Sequence, residues 1–169
     1  MFFSRSMLTI AIYLIVSITM QVQAKTLSLS GTLNIEVDPP EAILHSGSML
    51  LLKYNDWTLS HEVIDPKNYL GAVDLTGNLK PYIRSLFGYK NQRIADWLLY
   101  IANKQEKILG LDKADAEQFN ITSSEVLAIY NQGRNQGEIF ILEDLQVHKI
   151  DIVGSKKWFD KFLDQLRRL

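Results

Sequence analysis

Three histidines carry the side chains best suited to acid–base or metal chemistry in this sequence. They are His45, His61 and His148, and no two of them have the His-x-x-x-His or His-Glu-x-x-His spacing that presents two imidazoles to one zinc ion. Glu62 follows His61, but neighbouring strand residues point to opposite faces, so the two would not share a ligand. The sequence therefore predicts no metal site and no bound cofactor.

Neither His148 nor His45 has the sequence surroundings of a catalytic histidine. His148 falls on the same strand face as Ile150 and Ile152, which predicts a buried core histidine with a hydrogen-bond partner. His45 stands beside Ser46 and Ser48, but a Ser–His pair needs an orienting carboxylate, which the sequence does not place there. We predict no catalytic residue.

The carboxylates form no recognisable catalytic or metal-binding pattern. Asp112, Asp115 and Glu117 lack the glycine and ligand spacing of a calcium-binding loop. Adjacency alone does not make Glu143 and Asp144 a glycosidase pair, which needs two carboxylates on opposite sides of a sugar bond. We interpret both groups as solvated surface.

One segment, between positions 82 and 93, mixes basic and aromatic residues. Its members are Tyr82, Arg84, Tyr89, Lys90 and Arg93. We predict this basic–aromatic patch as a binding site for a partner, an anionic ligand or cell-wall material. The alternative is an ordinary helix and loop with solvated charges.

The C-terminal part of the chain gives the clearest fold signal. Strand-forming runs at 124–131, 138–143 and 146–153 are separated by short turns and predict an antiparallel meander. The first two runs are apolar on both faces, which predicts layers on both sides of the sheet. After Ser155, a suitable N-cap, apolar residues at helical spacing predict a C-terminal amphipathic helix: Trp158, Phe159, Phe162, Leu163 and Leu166.

The preceding part of the chain predicts more strands and two helices. Period-two alternation over 27–37 predicts one strand, at a sheet edge or in a terminal hairpin, and runs at 49–54 and 57–64 predict a hairpin. Helices are expected at 78–87 and 91–109, and 112–120 is a polar loop or helical turn. In the second helix the predicted buried stripe comprises Ile94, Trp97, Leu98, Ile101 and Ile108.

These elements predict an α+β fold. A mostly antiparallel sheet would carry packed helices in an α/β/α sandwich-like arrangement, within a single domain over residues 25–169. Their order resembles that of the PsbP-like superfamily, chiefly over 124–166. The resemblance rests on Glu138–Leu142, on His148–Ser155 and on the helix that follows. It implies a non-enzymatic docking protein, and it carries over no functional residue.

The N-terminal 24 residues have the pattern of a secretory signal peptide. Arg5 precedes an apolar run from Met7 to Met20, and Val22 and Ala24 place small residues where a signal peptidase cleaves. The alternative is an uncleaved membrane anchor. No twin arginine precedes the run, which favours a Sec-type route.

Amino-acid composition restricts the cellular location and the class of partner that we expect for this protein. The chain has no cysteine and a formal net charge of −1, and removal of residues 1–24 would leave 17 basic against 19 acidic residues. This balance argues against a nucleic-acid-binding protein. Export without disulfides favours a bacterial periplasmic or secreted protein, with no stable membrane span after cleavage.

The functional hypothesis combines these observations. We expect a periplasmic, non-catalytic accessory protein that binds a protein partner or a small ligand in the cell envelope. The alternative is a small envelope hydrolase whose catalytic residues converge only in the folded chain. A pocket enclosing a histidine and a carboxylate would favour the enzyme, and an exposed apolar patch would favour docking.

Overall fold

Two helices interrupt a series of strands in the computed structural model, which describes residues 25–89, 93–110 and 116–169. The fold is α+β, as the sequence predicted. The strands are β1 (Lys25–Ser28), β2 (Asn34–Val37), β3 (Ala42–Ser46), β4 (Met49–Lys53), β5 (Thr58–Val63), β6 (Glu117–Ile121), β7 (Ser124–Asn131), β8 (Gln136–Leu142) and β9 (Val147–Val153). The helices are α1 (Leu79–Leu86), α2 (Asp96–Leu109) and α3 (Lys156–Leu166).

The strands form two antiparallel sheets. β1 and β2 make a two-stranded sheet, and the other seven strands make a second sheet in the order β3-β4-β5-β9-β8-β7-β6. The predicted β4–β5 hairpin and the β7–β8–β9 meander are both confirmed. β9 lies at the centre, where it pairs with β5 on one side and β8 on the other. It therefore joins the N-terminal and C-terminal strands into one sheet.

Each face of the large sheet packs against its own apolar cluster. On the face that we call the hairpin face, the small sheet and α3 cover inward residues such as Val126 and Ile139. On the opposite, helix-pair face, α1 and α2 cover Leu127 and Phe140. Successive strand residues thus enter different cores, which confirms the layers predicted on both sides of the meander.

The C-terminal helix packs closely on β8. Phe159 is buried against Gly137, where an added Cβ would lie 2.9 Å or less from three atoms of the Phe159 ring. Ser155 occupies the N-cap position with extended backbone, as predicted, but its hydroxyl makes no capping hydrogen bond. The helix is therefore held mainly by its buried apolar face: Phe159, Phe162, Leu163 and Leu166.

The predicted single strand over 27–37 is wrong, because the chain reverses at its middle. Ser30 Oγ accepts hydrogen bonds from the backbone N–H groups of Thr32 and Leu33, and Leu29 N–H bonds to Leu33 O. Serine side chains stabilise turns in this way. The apolar residues of this segment still face the core: Leu27 of β1 is half-buried, and Leu29, Leu33, Ile35 and Val37 of the turn and β2 are buried.

Other boundaries also differ from the prediction. β3 was not predicted, and β6 forms where a loop or helical turn was expected over 112–120, of which 111–115 lie outside the described residues. α2 begins at Asp96 rather than at 91, and positions 90–92 are likewise not described. Both missed strands lie at sheet edges, where one side of a strand lacks neighbours and its apolar pattern is weak.

Candidate functional site

A chain of hydrogen bonds links two histidines and a glutamate between the two sheets. His61 Nε2 lies 2.9 Å from His148 Nδ1, and His148 Nε2 lies 3.0 Å from Glu143 Oε2. His148 is fully buried, as predicted. Ser30 and Thr32, in the turn between β1 and β2, both donate to Glu143 Oε1, at 2.8 and 2.9 Å. The chain therefore ties the small sheet to the centre of the large one.

The pKa shifts of Glu143 and His61, the two end groups of this hydrogen-bonded series, determine where its protons lie. Burial alone would raise the pKa of Glu143, but hydrogen bonds led by that of Gln146 and that of His148 outweigh it and lower the pKa to about 2. Burial, and then the neighbouring His148, lower the pKa of His61 to about 4. The short contact between the rings needs one donor and one acceptor, so both imidazoles cannot be protonated together. At neutral pH this hydrogen-bonded series therefore has the ionised carboxylate of Glu143 at one end and an uncharged His61 at the other.

This arrangement does not assemble a nucleophile. In a Ser–His–acid triad the hydroxyl bonds to the histidine, whereas here Ser30 bonds to Glu143 at the acidic end. His61 uses Nε2 for His148 and is nearly fully buried. The group is thus a buried polar connection, and it lines neither the two grooves beside α3 nor the groove at the N-terminus of α1.

Of the predicted basic–aromatic patch, the structure buries Tyr82 and brings Arg84 and Tyr89 together beside Glu125. Tyr82 is fully buried in the helix-pair core, where its hydroxyl donates to Gln105 Oε1 at 2.6 Å. Its burial raises its pKa above the usual range. Lys90 lies outside the described residues, and Arg93 is exposed three residues before α2. Tyr82 is therefore a packing residue of α1.

Arg84 and Tyr89 bind neighbouring strands of their own chain. Arg84 forms an ion pair of 2.7 Å with Glu125 on β7. Tyr89 donates to Gln118 on β6, and Gln118 in turn bonds to Glu125. These contacts fasten the end of α1 to the edge of the sheet. Within the described part of the patch, Arg93 has the most accessible charge.

An exposed row of large side chains runs along α2 instead. Trp97, Tyr100 and Ile108 are 55%, 60% and 62% exposed, and the ammonium of Lys104 lies 4.6 Å from the Tyr100 ring centroid. Positions 97, 100, 104 and 108 recur every three or four residues, so they form one helical stripe. We call these four residues the α2 stripe. The sequence did not predict the exposure of this stripe.

The predicted burial of Trp97 and Ile108 is wrong, because a different side of α2 packs against α1 and the sheet. Leu98 and Ala102 are buried, at 2% and 0% exposure, and Ile101 is half-buried beside them. The small Ala102 lets the helix approach α1 and the sheet closely. Positions 97 and 108 are rotated away from that arc and are left in solvent.

A groove lies at another place, where the N-terminus of α1 meets the β8–β9 bend. Its volume is about 650 Å³, and its walls include Pro66, Pro81 and Val147, with Leu145 fully exposed at the rim. Lys80 crosses part of it to bond with a backbone carbonyl at 2.9 Å. No histidine lines this groove.

Half-buried charges occupy the exposed part of the helix-pair face. Lys149 pairs with Asp151 at 2.8 Å, and Glu138 lies opposite Asp151 in the sheet register. Burial raises the pKa of Glu138, although Lys149 opposes the shift. Among the residues described, no group of three histidine, aspartate or glutamate side chains is arranged to hold a metal ion.

Comparison with protein-family models, with curated proteins and with solved structures yields no match. The PsbP-like resemblance therefore stays an expectation from the sequence. None of the helices over the described ranges is both long and apolar enough to cross a membrane.

Proposed function

We propose that this is an exported, non-catalytic accessory protein that binds a protein partner through the α2 stripe. The single observation that carries the proposal is the exposure of Trp97, Tyr100 and Ile108 on one side of one helix. Contiguous exposed apolar residues of this size are uncommon on a monomer and are typical of interaction sites. Tryptophan and tyrosine are also enriched among residues that dominate binding energy.

The charges beside the stripe indicate the chemistry of the partner. Among the described residues of α2 and the segment before it, Arg93, Lys104 and Lys107 are exposed, against the exposed carboxylate of Asp96 and the half-buried one of Glu106. Complementary charge at the rim favours a correct partner and speeds its encounter. The partner surface is thus an apolar groove with an acidic rim, which receives α2 as grooves receive amphipathic helices.

The hydrolase alternative has one supporting observation, the buried Glu143–His148–His61 chain. That chain lacks a nucleophile on its histidine end, and its groups lie between packed sheets rather than in a groove. A histidine and a carboxylate with shifted pKa values indicate catalysis only where substrate can reach them. The geometry therefore favours docking.

A small ligand is the second candidate, favoured by the groove between α1 and the β8–β9 bend. Its volume falls in the range of small-molecule sites. Native mass spectrometry of the chain purified from the cell envelope separates the two candidates. A small adduct would favour the groove, and a stoichiometric second protein would favour the stripe.

The stripe is tested by photo-crosslinking in living cells. A photoreactive amino acid replaces Trp97 or Ile108, and the matched control is Asn103, which is exposed on α2 but outside the stripe. We expect one discrete protein adduct from the stripe positions and none from the control. Equal labelling at all three positions, or no adduct at all, would contradict the proposal.

The identified partner then allows the affinity to be measured. We expect Trp97→Ala to weaken binding about thirtyfold, because a central tryptophan contributes about 2 kcal/mol or more. Asn103→Ala should leave the affinity unchanged. The double variant Tyr89→Ala/Arg93→Ala tests the basic–aromatic patch, and unchanged capture would remove that patch from the interface.

A further inference from the structure

The two edges of the large sheet differ in how they are protected. At one edge, β6 has its side chains engaged: Glu117 pairs with Arg167, whose guanidinium also lies 4.9 Å from the centroid of the Phe119 ring. Gln118 is hydrogen-bonded to Tyr89. Ion pairs and covered side chains of this kind discourage the pairing of an edge strand with another chain.

The opposite edge, β3, has none of these protections in the described structure. Its sequence, Ala42–Ser46, contains no lysine and no proline, and its side chains form no hydrogen bond or ion pair with other described residues. Ile43 and Leu44 are 54% and 59% exposed, although they point to opposite faces of the sheet. An edge with exposed apolar residues on both faces is a ready template for another strand.

We propose that β3 pairs with β3 of a second copy of this chain, antiparallel about a twofold axis at Ile43. The proposal concerns a different element from the α2 stripe and does not depend on it. Twofold pairing uses the same surface from both copies, the commonest arrangement in homo-oligomers. It would join the two seven-stranded sheets through their unprotected edges.

Charge complementarity between Glu41 and His45 favours a second copy of this chain as the strand that pairs with β3, and it also favours one register of that pairing. Ile43 and His45 pair with Leu52 and Leu50 of β4, so they lie on the hairpin face. The exposed Glu41 immediately precedes β3, and its backbone N–H bonds to Lys53 O of β4. An axis at Ile43 sets Glu41 of each copy opposite His45 of the other. Their side chains are exposed and have no partner among the described residues.

The central contact is equally self-complementary. Ile43 meets its own copy across the axis, and β-branched pairs stabilise adjacent strands. Leu44 meets Ala42 on the opposite face, where a large side chain faces a small one. An axis one residue further along would instead set Ile43 opposite His45 and leave Glu41 without a polar partner. The Ile43 register is the one that matches apolar with apolar and carboxylate with imidazole.

Disulfide trapping tests the register directly, because the chain has no cysteine of its own. Directly opposed antiparallel residues have Cα atoms about 4.5–5.5 Å apart, within the range that a disulfide spans. We expect Ile43→Cys to form covalent dimers at least about tenfold faster than Asn120→Cys, an exposed control on the other edge strand β6. Equal rates would overturn the proposal.

Charge exchange gives a second test that does not rely on cysteine chemistry. Glu41→Lys should weaken self-association about tenfold, because it sets lysine opposite histidine at both symmetric positions. Adding His45→Glu should restore the affinity, since lysine then faces glutamate. Sedimentation velocity over a concentration series measures both effects, and circular dichroism verifies folding. Failure of the double variant to recover would exclude this register.

The wild-type chain, purified as the cell processes it, should show an average mass that rises with concentration. A mass that stays monomeric throughout would overturn the proposal. Crosslinking of position 43 to an extended segment of another protein would also overturn the proposal, because β3 would then pair with a strand of that protein. Trp97→Ala should leave self-association unchanged, so failure of the stripe and failure of the edge give different results.

Discussion

His148 Nε2 lies 3.0 Å from Glu143 Oε2, at the point where the turn between β1 and β2 meets the large sheet. The glutamate follows β8, and its other oxygen accepts hydrogen bonds from Ser30 and Thr32. One ionised side chain therefore holds together the central strand of the large sheet and the small sheet. Its contribution to stability is measurable.

Glu143→Gln should lower the free energy of unfolding by about 2 kcal/mol, because an amide oxygen replaces a carboxylate that accepts several hydrogen bonds. The amide nitrogen would also face donors rather than acceptors. Urea denaturation at neutral pH measures the change. Glu36→Gln is the matched control, since Glu36 is exposed on β2, and it should be nearly neutral. Equal effects of the two substitutions would contradict the assigned role.

Stability should fall as the solution is acidified from pH 6.5 towards pH 4. The pKa of His61 is lowered from 6.5 to about 4 in the folded chain, so the unfolded chain binds the proton first and gains stability in that window. The lowered pKa of Glu143 acts in the same direction between pH 4.5 and about 2. Glu138, whose pKa is raised, opposes the loss.

Comparison of variants isolates the histidine contribution. His61→Gln should flatten the decrease between pH 6.5 and 4, because the amide does not titrate there. Chemical denaturation at a series of pH values supplies the profiles. An unchanged slope in His61→Gln would show that other groups govern the response.

Gly137→Ala should destabilise the fold by about 2 kcal/mol, since overpacking a close contact costs about 1–3 kcal/mol. The added methyl would meet the ring of Phe159, which α3 holds against β8. Thermal and urea unfolding both report the loss. Gly133→Ala is the control, because the nearest atom to its new Cβ would be Asn131 Oδ1 at 3.4 Å. Retained stability in both variants would mean that α3 shifts freely.

We predict that signal peptidase cleaves the chain after Ala24, so that the mature protein begins at Lys25. We expect intact-mass measurement of the protein from the cell envelope to match residues 25–169, because Val22 and Ala24 have the small side chains that signal peptidase requires. Ala24→Trp should abolish processing, and Gln23→Trp should be tolerated as its neighbour control. Recovery of the complete chain in the membrane fraction would favour the uncleaved anchor.

The parts of the fold that could be predicted from the sequence are those determined by residues that lie close together along the chain. Short turns join β7, β8 and β9, so their pairing could be inferred from strand pattern and turn residues alone. The apolar spacing of α3 likewise identified its buried face. The burial of His148 followed from its position in alternation with Ile150.

The parts that were missed depend on distant contacts. His61 and His148 are 87 residues apart in sequence, and their hydrogen bond exists only because β5 pairs with β9. No local signal predicts that pairing. The five apolar positions of the predicted stripe span about 100°, an ordinary width for the buried face of a helix. The tertiary packing of α2, which buries Leu98 and Ala102, decides that Trp97 and Ile108 stay exposed.

The central position of β9 also fixes the order in which the chain can complete its fold. The hairpin that contains β5 has no sheet neighbour on its inner side until residues 147–153 are available. Pairings between distant segments form slowly, because a long loop must close first. The large sheet is therefore completed only after nearly the whole chain has been synthesised, and until then β5 lacks the neighbour that links it to β8.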